Sequence, residues 1–189
     1  TVDATSPQGV TTAETAATGG EVTYLLVGDY AGAVLADSPA GYWRLGESSG
    51  TEAKAFGGSP NGTYRNTPTL GVTGAIAGDA STAVTLDGSS ENVYFTDVHD
   101  FAGQAQFSVE CWVRIPSYSA AGSWPRLVAK EHFESGTQHG GWAIALNPPD
   151  AGSTPNSVTF GRYSGTASSE ISGVTPLQLN TWHHIVGTY

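Results

Sequence analysis

Methionine is absent from the 189 residues, cysteine occurs once, and lysine and arginine together number seven. A single cysteine excludes an internal disulfide, so the burial of apolar surface has to hold the fold. Seven basic residues against seventeen acidic ones give a formal charge of −10, which repels a phosphate backbone and anionic lipid alike. Nucleic acid is therefore not an expected partner. Membrane insertion is not expected either, since no apolar run approaches the roughly 20 residues that a spanning helix requires. The start lacks the basic and apolar regions of a signal peptide. A chain that opens on Thr1 and contains no Met reads as a processed product or as part of something longer.

Motifs for the common chemistries are missing too. There is no Gly-x-Ser-x-Gly elbow for a nucleophile and no Gly-x-x-x-x-Gly-Lys loop for phosphate. A glycosidase needs two placed carboxylates, and no Glu-x-Asp-x-Glu run sets them on one strand face. Glu131 and Glu134, three positions apart, would point to opposite faces of a strand. The expectation is a protein without catalytic activity, with a glycoside hydrolase as the least favoured reading. No fixed period recurs, which argues against a solenoid or propeller.

What the chain does have is glycine, threonine and short alternating runs, the pattern of an all-β protein rich in turns. The clearest run is residues 107–116, FSVECWVRIP. Phe107, Val109, Cys111, Val113 and Ile115 fall on one face, and Ser108, Glu110, Trp112 and Arg114 on the other. Cys111, on the apolar face, is expected to pack as a small hydrophobe. The run at residues 181–189, TWHHIVGTY, alternates with neither face plainly polar, so both strands read as interior. His183 and His184, being adjacent, point to opposite sides of a sheet and cannot chelate one metal.

Four segments carry a resemblance: residues 30–47 (YAGAVLADSPAGYWRLGE), residues 78–95 (GDASTAVTLDGSSENVYF), FSVECWVRIP, and WHHIVGTY with the preceding PLQLN. Together they resemble the laminin-G-like group of the concanavalin A-like lectin/glucanase superfamily, over residues 30–189. The resemblance implies a jelly-roll sandwich of two antiparallel sheets that recognises glycans or proteins through rim loops. It also implies strands beyond residue 189, so that the sandwich is expected to be incomplete at the C-terminus. Relatives of this type are found in secreted multidomain proteins and in bacteriophage tail-associated virion proteins. The function so implied is a carbohydrate-binding adhesion module on a virion tail or outside the cell. The alternative is a structural or decoration module with no glycan ligand.

Residues 1–29 read differently. Thr, Ala and Gly dominate residues 1–20, too little apolar surface to offset ordering, and residues 21–27 (EVTYLLV) offer one short β-prone run. An extended arm docking on other virion or surface-protein subunits, a second copy of this chain among them, is expected there. The sandwich then occupies residues 30–189. Within it, residues 46–62 read as loop, and residues 83–86 and 92–96 as the two strands of a hairpin. Residues 164–173 read as an irregular connection.

Binding residues are sought in the loops, where recognition is usually carried on a rigid sandwich. Residues 131–141, EHFESGTQHGG, are the most polar aromatic-bearing stretch and the expected rim. Glu131, His132, Phe133, Glu134 and His139 are its candidates, with Trp124 and Tyr163 as aromatic platforms for a host-surface carbohydrate. Trp142 reads as core. Asp87, Glu91, Asn92 and Asp97 form an oxygen-rich set, with Asp100 nearby, of the kind that can hold Ca²⁺. Calcium is the one cofactor these residues raise, although Asp and Asn are also ordinary turn formers.

Overall fold

The computed structural model describes residues 4–5, 11–12, 30–101, 105–133, 139–152, 154–165 and 167–189. The chain divides into two compact units, Thr1–Thr96 and Asp97–Tyr189, where the sequence suggested an arm and one sandwich. Most of the expected arm, with the β-prone run at 21–27, lies outside the described residues. Within it β1 (Ala4–Thr5) and β2 (Thr11–Thr12) pair antiparallel.

The first unit contains a helix that the alternation did not predict, α1 (Tyr30–Ala36). Its alanines and leucine are good helix formers. The chain stops it at Asp37 and at Ser38, which has a positive φ of 54° just before Pro39. Short strands follow. They are β3 (Tyr42–Trp43), β4 (Glu52–Ala53), β5 (Ala55–Phe56), β6 (Gly62–Arg65), β7 (Thr69–Thr73), β8 (Thr82–Thr85) and β9 (Asn92–Tyr94). The stretch read as a loop, residues 46–62, thus holds β4 and β5.

The expected hairpin of residues 83–86 with 92–96 does not form. Instead β8 pairs with β7, and β9 pairs with β6 in the order β4-β6-β9. The reason lies at Gly62. A Cβ there would lie 2.6 Å from the Phe95 ring, so only glycine lets Phe95 close over β6 and bring β9 alongside. Phe95 also meets Trp43, ring centroids 4.4 Å apart. Arg44 adds an ion pair, its Nη2 donating to both Asp79 carboxylate oxygens at 2.6 Å.

The second unit is a sandwich. β10 (Ser108–Val113) pairs antiparallel with β15 (His183–Thr188). Opposite them stands a four-stranded antiparallel sheet, β11 (Arg126–Phe133), β12 (His139–Leu146), β13 (Val158–Gly165) and β14 (Ala167–Ser172). Phe107, Trp142, Ile144 and Phe160 form the core, with Val109 and Ile185 closing from one side and Val128 and Val158 from the other. The alternation of β10 is as the sequence predicts, exposed and half-buried in turn from Ser108 to Val113. Trp142 is core as expected. Gly187 marks how closely the layers meet: a Cβ there would lie 2.6 Å from the Phe160 ring.

Three expectations for this unit are corrected. Residues 131–133 and 139–141 are not loop, because backbone pairing runs to Phe133↔His139 and makes them the ends of β11 and β12. Residues 164–173 contain a strand, β14, that satisfies the outer edge of β13. Its residues, ASSEIS, are mostly exposed, and an edge strand of that polarity carries too little apolar signal to be read. Finally β15 is not interior on both faces. Val186 is 55% exposed and points away from the core on the same side as His184.

Candidate functional site

Of the described residues expected to bind ligand, Glu131 and Tyr163 share the outward face of the four-stranded sheet, both in register with Gly141, while His132 points to the opposite face. Glu131 sits on the outward face of β11 with its side chain only 8% exposed, joined to Arg126 by two hydrogen bonds of 2.5 and 2.9 Å. That partner holds the Arg126 guanidinium above its ordinary pKa. Arg126 also donates to the Trp124 carbonyl at 2.7 Å. The Tyr163 phenol lies over Gly161, and burial followed by the charge of Glu170 pushes it up to about 12. Glu131 and Tyr163 therefore already have protein partners. His132 is exposed and Trp124 is 46% exposed. Glu134 lies outside the described residues, as do the side chains of Phe133 and His139.

The oxygen-rich set is divided in the same way. Asp87 accepts the backbone amides of Ser89, Ser90 and Glu91 at 2.9 Å each, and Glu91 returns a bond by accepting the Asp87 amide at 2.8 Å. This is a side-chain-capped turn. Asn92 donates to the Ser90 carbonyl. Asp97 instead pairs with Lys130 at 2.6 Å, which also meets Asp100 at 2.8 Å. Among the described residues no three His, Cys, Asp or Glu side chains are grouped to hold a metal ion.

The Asp87 turn makes a pH prediction. The amides of Glu91, Ser89 and Ser90 hold its carboxyl at about 2 against an ordinary 3.8. Because the folded value is the lower one, the turn contributes its full stabilisation above about pH 3.8 and loses it as pH falls toward 2. An NMR titration of the Asp87 carboxyl carbon should find its midpoint well below 3.8; a midpoint at the ordinary value would mean that these amide bonds do not persist in solution.

A different surface of the second unit gathers more recognition chemistry. On the outward face of the β10–β15 ladder, cross-strand pairs stand in register: Ser108↔Thr188, Glu110↔Val186 and Trp112↔His184. The Ser108 and Thr188 hydroxyls are 3.1 Å apart. Trp112 and His184 stack with centroids 4.9 Å apart and planes 15° from parallel. His184 Nε2 lies 3.2 Å from a Glu110 carboxylate oxygen. Beyond the last pair, the Arg114 guanidinium sits 5.5 Å from the Trp182 ring. Trp112 is 36% exposed. Aromatic surface, a carboxylate, a guanidinium and hydroxyls thus share one sheet face.

Sequence reasoning placed Glu110, Trp112 and Arg114 on a common face but took that face to be interior. The available signal was polarity. Three of the four residues from Ser108 to Arg114 on this face are polar, and a strand buried on both sides would have been apolar throughout. On the opposite face, Cys111 points into the sandwich. Burial, and then the charge of Glu110, pushes its thiol up to about 11, which leaves little reactive thiolate near neutrality.

A laminin G family model, described as the concanavalin A-like lectin/glucanases superfamily, matches residues 87–189. The match takes in all of the second unit and the turn and strand before it. Residues 30–47, which also carried the resemblance, lie outside it. No curated protein and no solved structure matches the chain.

Proposed function

From the premise that this chain belongs to the concanavalin A-like lectin/glucanase superfamily, we propose that it is a carbohydrate-binding module. The outward face of the β10–β15 ladder would be its binding surface. The observation that carries this reading is the stacked Trp112–His184 pair, flanked by Glu110 on one side and by Arg114 and Trp182 on the other. Aromatic rings offer contact area to the C–H faces of a sugar at low entropic cost. Charged groups beside them accept from and donate to its hydroxyls.

The proposal includes no catalysis. Glu131 is engaged by Arg126, Tyr163 is held beside Glu170, and Glu110 and Glu131 stand on opposite outer faces of the sandwich. On this reading the chain acts outside a cell or on a virion surface, where host glycans are met.

A glycan array probed with the chain and with two variants tests it. Trp112→Ala is expected to weaken every retained glycan by at least about tenfold, the scale of losing one aromatic contact, while Trp124→Ala changes retention less than twofold. The opposite result would move the ligand to the segment that carries Trp124, just before β11. No retained glycan at all would overturn the reading.

A further inference from the structure

A second recessed surface lies in the first unit, outside the residues that the family model matches. Residues 48–51, which lead into β4, and residues 66–68, which join β6 to β7, border a cleft of about 400 Å³. That volume falls within the roughly 300–1,000 Å³ of small-molecule sites. Ser48, Ser49, Thr51, Asn66 and Thr67 supply hydroxyls and an amide, and the buried Tyr64 supplies an aromatic wall.

No charged side chain lines the cleft among the described residues. Of the charged residues next to the lining in sequence, Glu47 accepts the Tyr64 hydroxyl at 2.5 Å and the Lys54 amide at 2.9 Å, the Arg65 guanidinium lies 3.6 Å from the Tyr94 ring, and Glu52 is exposed on β4. Pro68 and Leu70 complete the lining, which is more apolar than polar, so the cleft suits a neutral ligand that presents an apolar face together with hydroxyls, as a sugar ring does. It offers nothing to balance a phosphate or a carboxylate.

The cleft is also pre-organised. Tyr64 donates its amide to the Thr51 carbonyl at 2.8 Å, and Asn66 donates its side-chain amide to the Ser90 carbonyl at 2.6 Å, so one border is fastened to β6 and the other to the turn before β9. Asn66 and Thr67 have φ of 62° and 60°. Asparagine tolerates that region, but for a β-branched residue it is a genuine outlier, and glycine would adopt it freely. A threonine kept there puts a hydroxyl at the border of the cleft against the preference of its own backbone, and such strain gathers at functional sites. The Thr67 hydroxyl donates to the Asn66 carbonyl at 2.7 Å, and its oxygen can still accept.

We propose that this cleft is a binding site for a neutral polyhydroxylated ligand of about one sugar ring, separate from the sheet face of the second unit. Amide NMR on the isotope-labelled chain, titrated with methyl α-glucoside and with N-acetylglucosamine, tests it. Saturable shifts are expected at Ser48, Ser49, Thr51, Asn66 and Thr67 with at least one probe. They should persist in Trp112→Ala, so that failure of the sheet-face reading and failure of this one are told apart. Ser49→Trp, at an exposed position, should fill the cleft and weaken the response at least tenfold. Thr51→Val, close in shape and lacking one hydroxyl, should weaken it several-fold and serves if the larger side chain disturbs the loop. Unmoved amides with both probes would overturn the proposal, as would an equal response in Ser49→Trp and Thr51→Val.

Discussion

Truncating Phe107 to Ala is expected to destabilise the second unit by about 3–5 kcal/mol, the usual cost of removing a buried aromatic ring. Phe107 is where the two layers of the sandwich meet. It stacks on Phe101 at 4.1 Å and 11°, and its centroid lies 5.8 Å from Trp142, 5.9 Å from Phe160 and 6.0 Å from Tyr189. Its backbone is bonded to Tyr189 in both directions, at 3.3 and 3.0 Å, so the ring cannot move away to let neighbours fill the space. The guanidinium of Arg162 also lies 5.5 Å from the ring. Small domains are stable by only about 5–15 kcal/mol, so this one change removes a large share. Urea unfolding followed by tryptophan fluorescence measures it. A loss under about 1 kcal/mol would show that the rings repack without Phe107.

The second large effect is expected at Asn147, a polar side chain that is 1% exposed. Its side chain ties a loop to a strand. Nδ2 donates to the Thr154 carbonyl and hydroxyl at 3.0 Å each and to the Ser157 hydroxyl at 3.1 Å, while Oδ1 accepts from Thr159 at 2.5 Å. Thr159 is bonded in turn to Ser172 at 2.5 Å, which carries the network to β14. In Asn147→Ala the groups at Thr154, Ser157 and Thr159 each lose one hydrogen bond, while the Ser157–Thr154 and Thr159–Ser172 bonds remain, and the buried hydrogen-bonding capacity so left costs about 1–3 kcal/mol. Amide exchange should rise first across residues 154–159 and in β14. Unchanged protection there would mean that water replaces the amide at little cost.

How far each feature was legible follows from where its signal resides. The β10 strand was read to within three residues, because one face half-buried and one exposed write period two directly into FSVECWVRIP. The sandwich was read through the same strand, its partner and the family likeness, and Trp142 was read as core. By contrast β4, β5 and β14 are short or almost wholly polar, and their pairing comes from neighbours that local composition does not encode. The missed helix α1 has an apolar stretch too short to separate a helical from a strand period.

The candidate site was less legible than the fold. Glu131 and Tyr163 looked like binding groups by residue type alone. The bulge between Arg126 and Val128 keeps Arg126 and Glu131 on one face despite their odd spacing, and there they pair. Asp87 looked like a cation ligand until its own turn supplied the amide partners. Trp112 was assigned to the correct face of its strand, while the surroundings of that face were not.

The sequence by itself determined the all-β class, the acidic surface, the absence of an internal disulfide and the inward residues of β10, since composition and period-two alternation are local properties. Tertiary structure alone decided which strands pair, which carboxylates keep free lone pairs and which aromatic faces meet solvent. Those depend on contacts between residues far apart in the chain, such as Trp112 with His184 and Asn147 with Thr159, and alternation along one strand carries no information about what lies across from it.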